Sequence, residues 1–181
     1  GTVNLQDTTL ALGETFSKTG GSLTLTGTGL ELLSDLSLSS DSAVAFDSYQ
    51  PNGFNLVLPI PSTGNISLGT ITLVSENIEV LGGTLSLAGG SVGASGQVEV
   101  GEQGSLSLEG NLAVSGTLNL NDGATVNFAN NIIDVSGGLL ELAGTRSLDG
   151  ITTNASTTLQ INSSGSISRT GSGANTVGDL L

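Results

Sequence analysis

Residues 104–131 read GSLSLEGNLAVSGTLNLNDGATVNFANN. Apolar residues fall there in pairs split by one residue: Leu106/Leu108, Leu112/Val114, Leu118/Leu120 and Val126/Phe128. A period of two is the signature of a strand with one face buried and one wet. The bends between pairs are rich in Gly, Ser, Asn and Asp, as in Gly110-Asn111, Ser115-Gly116 and Asn121-Asp122-Gly123. Each strand is therefore short, and every third pair returns about 20 residues on.

The same step extends in both directions from this stretch. Leu23 to Val44 is 21 residues, Leu85 to Leu106 is 21, Val98 to Leu118 is 20, Leu112 to Ile133 is 21 and Leu118 to Leu140 is 22. Three short strands per repeat of about 20 residues is the period of a parallel β-solenoid. The spacing predicts an all-β, right-handed parallel β-helix with strands of three to five residues. At ~4.8 Å per rung, the 181 residues would form about nine coils in a rod of roughly 40 Å. No stretch shows helical periodicity of useful length. An antiparallel sandwich also produces short alternating strands, and Asp122-Gly123 and Asp149-Gly150 are hairpin-type turns. A threefold pattern summing to 20–22 is harder to build from hairpins.

A single solenoid domain over 1–181 is expected, with three departures from the rhythm. Residues 1–19 carry Val3/Leu5 and Leu10/Leu12 at uneven spacing and read as an irregular N-terminal coil. Residues 47–65 hold all three prolines (Pro51, Pro59 and Pro61) and the single tyrosine, Tyr49. Proline cannot donate to a ladder, so this segment reads either as a bulged coil burying Phe54, Leu56 and Leu58 or as a protruding loop. Residues 162–181 form a polar C-terminal segment. The chain starts at Gly1 with no basic-then-apolar leader, and reads as a mature or excised piece.

Composition excludes much chemistry. His, Cys, Met and Trp are all absent, removing imidazole bases, thiolates, zinc or haem ligands and disulfides. Only Lys18, Arg146 and Arg169 oppose 16 acids, for a net charge of −13. Nucleic acid is a poor partner for such a surface, and no apolar run is long enough to cross a membrane as a helix. Serine catalysis lacks a base, and glycoside hydrolysis lacks the aromatics that usually line a sugar site. The chain is therefore expected to be no enzyme and to need no cofactor.

Two sets of residues remain as candidates. Glu79 and Glu99, and likewise Glu102 and Asp122, are 20 apart, so each pair stacks like charges on neighbouring rungs. A structural Ca²⁺ would relieve that repulsion, although no known calcium-loop motif is present. The second set is Tyr49, Phe54, Leu56, Leu58 and Ile60, an apolar group that as an edge or loop would contact a partner. Ice binding would require a flat outward Thr array. The residues between apolar pairs are mixed instead: Thr24, Ser86, Ser107, Asn119, Asn127 and Glu141.

GGTLSLAGG (82–90), the stretch 104–131 and VSGGLLELAG (135–144) resemble the β-helix repeats of filamentous-haemagglutinin-like exoproteins and autotransporter adhesin passengers. The resemblance lies in repeat style, G-x-L-x-L-x-G with Asn and Ser corners, over most of 20–168. It implies secretion to the cell surface and a role in adhesion, biofilm or a fibre, and supplies no catalytic motif. The expected function is a non-enzymatic extracellular protein associating with itself, head to tail, into a filament or sheath. Such a coil ends in unpaired backbone edges. The alternative is an adhesin whose 47–65 loop binds a host, cell-surface or polysaccharide ligand.

Overall fold

The computed structural model describes residues 1–147, 149–162, 166–168 and 179–180. All regular structure among them is strand, and every strand pairing is parallel, which eliminates the antiparallel sandwich. The chain winds as a β-solenoid of about 8 turns with roughly 20-residue spacing. Fewer turns fit than a strict 20-residue step predicts, because some steps stretch to 22, as from Leu56 to Ile78 and from Leu118 to Leu140.

Three faces result. The first stacks Leu56–Leu58, the start of Asn77–Leu87, the start of Gln97–Leu108, Thr117–Leu120, Leu139–Leu142 and Thr158–Ile161. The second stacks Asn65–Leu68, the later halves of Asn77–Leu87 and Gln97–Leu108, and Thr125–Asn127. The third stacks Ile71–Leu73, Gly90–Val92, Leu112–Val114, Ile133–Val135 and Ile151–Thr153. Alternation along each strand sends one apolar set inward, and parallel register places like on like. On the first face Ile78, Val98, Leu118 and Leu140 form one column, each fully buried. Leu85, Leu106 and Val126 form a column of the second face, as the 20-residue step predicts.

Extra residues are absorbed at corners. Val80 opposes Val100, whereas Gly82 opposes Gln103, so the later coil carries one more residue at that bend. Gly104 permits it: a Cβ there would sit 1.9 Å from the Val80 carbonyl oxygen. Similarly Leu12 opposes Leu32 but Glu14 opposes Leu36. Two added residues in the later coil bulge outward and leave Leu33 61% exposed.

Strands Thr2–Gln6 and Thr9–Lys18 in fact stack in register on Ser22–Thr26 and Gly29–Ser40, so 1–19 is an ordinary coil. Residues 47–65 are likewise a coil. Ser48–Gln50 pairs with Gly29–Ser40, Leu56–Leu58 pairs on both sides, and the three prolines fall outside the strands. The Pro51 and Pro59 carbonyls accept turn hydrogen bonds from Phe54 and Ser62 at 2.9 and 2.8 Å. Of the polar C-terminal segment, most lies outside the described residues. Ser166–Ser168 and Asp179–Leu180 still pair parallel with Thr145–Ser147 and Thr158–Ile161.

The inward columns set the stability. Replacing Leu118 with Asp removes a fully buried side chain and inserts an unpaired carboxyl between Val98 and Leu140. The expected loss is about 4 kcal/mol or more. Thermal unfolding followed by far-UV circular dichroism checks it, and an unchanged midpoint would place Leu118 on the surface.

Candidate functional site

Parallel register turns each outward position into a rank running along the rod. The central rank of the first face reads Val57, Glu79, Glu99, Asn119, Glu141 and Gln160. Glu79 and Glu99 are thus rung neighbours, whereas Asn119 separates Glu99 from Glu141. Glu99 is held by its neighbours: its Oε1 accepts from Asn121 Nδ2 at 2.7 Å, and its Oε2 from Gln97 Nε2 at 3.4 Å. Glu102 and Asp122 lie at the corner beyond, so the four acids occupy two separate places. There Glu102 packs its Cγ over Gly123, and Asp122 leans toward Gly144 of the next coil while accepting from the Gly123 N–H at 3.0 Å. Among the described residues no three acidic side chains converge in a group able to hold a metal ion.

The apolar candidates of 47–65 divide differently. Tyr49, Leu56 and Leu58 are core, and Phe54 is partly buried against it. Leu56–Leu58 is hydrogen-bonded between Gly29–Ser40 and Asn77–Leu87, so it has no free edge to lend to a neighbouring molecule. The expectation that this stretch adds a strand to a partner is corrected on that ground. Only Ile60, 53% exposed, projects outward. Together with Pro61 it borders a shallow depression reaching Thr84 and Ser105.

The corner beside this coil holds a carboxylate that sequence reading missed. Glu76 is only 7% exposed. Its Oε2 accepts from the Val74 and Ser75 N–H groups at 2.6 and 3.0 Å, and its Oε1 from the Gly53 N–H at 3.2 Å. It ties the turn at 51–54 to the turn one rung later. Burial alone would raise its pKa, but the backbone donors outweigh this and hold it below the ordinary carboxylate range. Burial, with the nearby Glu76 charge, pushes the Tyr49 hydroxyl far above its usual range. No motif marks Glu76, because the donors that define it come from two different coils.

Most of the second face carries a different outward chemistry. Its two ranks are Asn65, Thr84, Ser105, Thr125 and Ser67, Ser86, Ser107, Asn127. At one end of the rod Thr2/Asn4 stack on Ser22/Thr24, and at the other Thr145/Ser147 stack on Ser166/Ser168. Residues 43 and 45, between these groups, are alanines. The triplets from Asn65–Ser67 to Thr125–Asn127 carry no charge at their outward positions, whereas Arg146 stands at the centre of Thr145–Ser147. Hydrogen bonds link rungs: Ser22 Oγ to Thr2 Oγ1 at 3.1 Å, Ser86 Oγ to Asn65 Oδ1 at 3.0 Å, Ser166 Oγ to Thr145 Oγ1 at 3.1 Å, and Ser105 with Thr125. Asn119 and Glu141, pooled with these residues when only the pairs are read, belong to the first face.

Among the described residues, Thr2–Gln6 pairs with Ser22–Thr26 and Thr9–Lys18 with Gly29–Ser40, each on one side. Leu10, Leu12, Phe16, Leu23 and Leu25 are only partly buried there, and Val3 is 55% exposed. Gly1, Leu5, Leu10 and Phe16 line an apolar depression of about 550 Å³. Lys18 braces the nearby corner, pairing with Asp41 at 2.7 Å, while Asp41 also accepts from the Gly20 N–H at 2.6 Å.

The chain matches no known family model, and neither a curated protein nor a solved structure matches it significantly. The fold is therefore the firm statement of class: a β-solenoid repeat protein.

Glu76 makes a pH test available. Its folded pKa lies below the unfolded reference near 4.5. The stability it contributes is thus complete above that reference and disappears as pH falls through the folded value. Substitution Glu76→Gln is expected to lower the melting temperature at pH 7 and to flatten its decline on acidification. Parallel melting curves of the two proteins between pH 7 and 3 check this; profiles of identical shape would contradict it.

Proposed function

We propose that this protein is a non-enzymatic extracellular structural element whose solenoids join end to end into a filament or sheath. What supports the reading is that, among the described residues, Thr2–Gln6 and Thr9–Lys18 each pair on one side alone, beside a partly buried apolar set. Backbone N–H and C=O groups arrayed along an edge template further pairing, and a coil presented by a second copy would satisfy them. It would also cover Leu10, Phe16 and the depression between them. Joining unlike ends is heterologous, and an operation that does not close yields a filament. Sparse charge along the chain, 10% of residues, favours close approach, while the net −13 makes assembly dependent on salt or divalent cations. The competing adhesin reading relied on a loop at 47–65, and that segment is a coil.

Electron microscopy of the purified chain with added salt or Ca²⁺ tests the proposal. Filaments with an axial rise of roughly 40 Å are expected, about eight turns at ~4.8 Å each. Substitution Val3→Asp should abolish them while leaving the far-UV spectrum of the monomer intact. A wild-type chain that sediments as a monomer under all these conditions would reject the proposal.

A further inference from the structure

The turn at 51–54 holds the single Asn-Gly step of the chain, Asn52-Gly53. Asn52 at φ 52° and Gly53 at φ 86°, with the Phe54 N–H donating to the Pro51 carbonyl at 2.9 Å, make a type I′ turn. Both central residues are exposed to solvent. Asn52 Nδ2 donates to Glu31 Oε1 at 3.0 Å and to the Leu32 carbonyl at 3.2 Å, on the coil before. The Gly53 N–H donates to Glu76 Oε1 at 3.2 Å, on the coil after. We infer that Asn52 is a gated modification site: it deamidates to aspartate or isoaspartate only when this turn opens, and Glu76 is the group that keeps the turn closed.

An Asn-Gly step reacts by cyclisation, because Gly has no side chain to shield its nitrogen. The Gly53 nitrogen gives its proton to solvent and bonds to Asn52 Cγ. The Cγ–Nδ2 bond breaks, and Nδ2 takes a proton from solvent and leaves as ammonia. Water then opens the cyclic imide at either carbonyl, giving aspartate or isoaspartate; the balance is one water consumed and one ammonia released. Three features of the closed turn oppose this. First, ring closure needs the Gly53 nitrogen on the same side of the Asn52 Cα–C bond as Cβ. The first central residue of a type I′ turn has ψ of about +30°, which sets the two on opposite sides. Second, deprotonating the Gly53 amide would place a negative nitrogen against the Glu76 carboxylate. That carboxylate cannot swing away, since it is 7% exposed and also accepts from the Val74 and Ser75 N–H groups. Third, the leaving amide is anchored by Glu31 and Leu32. Once the reaction has run, the group that donated to Glu31 is a carboxylate that repels it, and isoaspartate adds a carbon to the main chain of the turn. The original turn then has no way to re-form, so the step runs in one direction.

The 181-residue chain is incubated in mildly alkaline buffer, folded and in urea, and conversion at Asn52 is followed by mass spectrometry of its peptides. Isoaspartate is separated from aspartate by chromatography. Conversion in the folded chain is expected to be slower than in urea by roughly tenfold or more, because it waits on a local opening. Glu76→Gln removes the charge facing the Gly53 N–H and should speed conversion in the folded chain several-fold. Leu118→Ala weakens a distant core column without touching the turn, and should convert at the wild-type rate. Melting curves establish that each variant is folded, and Glu76→Asp, whose carboxyl falls short of Gly53, repeats the test should Glu76→Gln fail to fold. Equal rates in the folded and unfolded wild type would overturn the inference, as would an unfolded chain that does not convert at Asn52. A folded Glu76 variant no faster than wild type, or Leu118→Ala accelerated as much as the Glu76 variant, would overturn it equally. The readout is mass alone, so its outcome is independent of filament formation.

Discussion

Everything in this molecule follows from the parallel ladder between one coil and the next. Each strand must find its backbone partner one turn away, so the chain has to return to the same place roughly every 20 residues. That requirement fixes which side chains meet. An inward Leu lies on an inward Leu, Val or Ile, and an outward residue lies on its counterpart in the coil above. Columns such as Ile78, Val98, Leu118 and Leu140 result directly, and they bury apolar surface continuously along the rod. No coil could do so alone, because a single three-sided turn encloses too little.

The same constraint makes the corners the places where the chain varies. Strands cannot gain a residue without reversing every side chain beyond it, so insertions collect at bends. The bulge that expels Leu33 and the extra residue opposite Leu81 are both of this kind. Bends also carry the polar interactions that bind one turn to the next. Asn77 donates its N–H to Asn55 Oδ1, and Asn55 donates its own to Asp35 Oδ1, both at 2.8 Å. Glu76 performs a related task with three backbone donors. These side chains replace the water that a bend would otherwise need for its unpaired amides.

Strands and columns were legible in the sequence because few folds produce a period of two that itself repeats every 20–22 residues. Leu106 over Val126, and Leu118 over Leu140, follow from counting alone. Three features were not legible. The first coil looked irregular because its apolar pairs are unevenly spaced, whereas its strands still align with the next coil, which takes up the difference at Leu33. Tyr49, Leu56 and Leu58 looked available because prolines surround them, whereas those prolines lie at corners and the strand between is fully paired. The hydroxyl ranks were hidden for a different reason. Apolar pairs look alike on all three faces, so Asn119 and Glu141 were mixed with Ser107 and Asn127 until register separated them. The Glu76 carboxylate depends on contacts between coils, which no local pattern encodes.

Register is therefore the central claim, and it can be measured without a crystal. The chain has no cysteine, so a pair introduced at Ser107 and Asn127 reports on those two positions alone. Opposed residues on adjacent rungs should stand about 4.8 Å apart, within the range of about 4.4–6.8 Å between Cα atoms that a disulfide spans. Mild oxidation of Ser107→Cys/Asn127→Cys should close an intramolecular bridge in full yield. The pair Ser107→Cys/Asn119→Cys, whose partners lie on different faces, should stay reduced. A bridge in the second pair and none in the first would contradict the parallel stack.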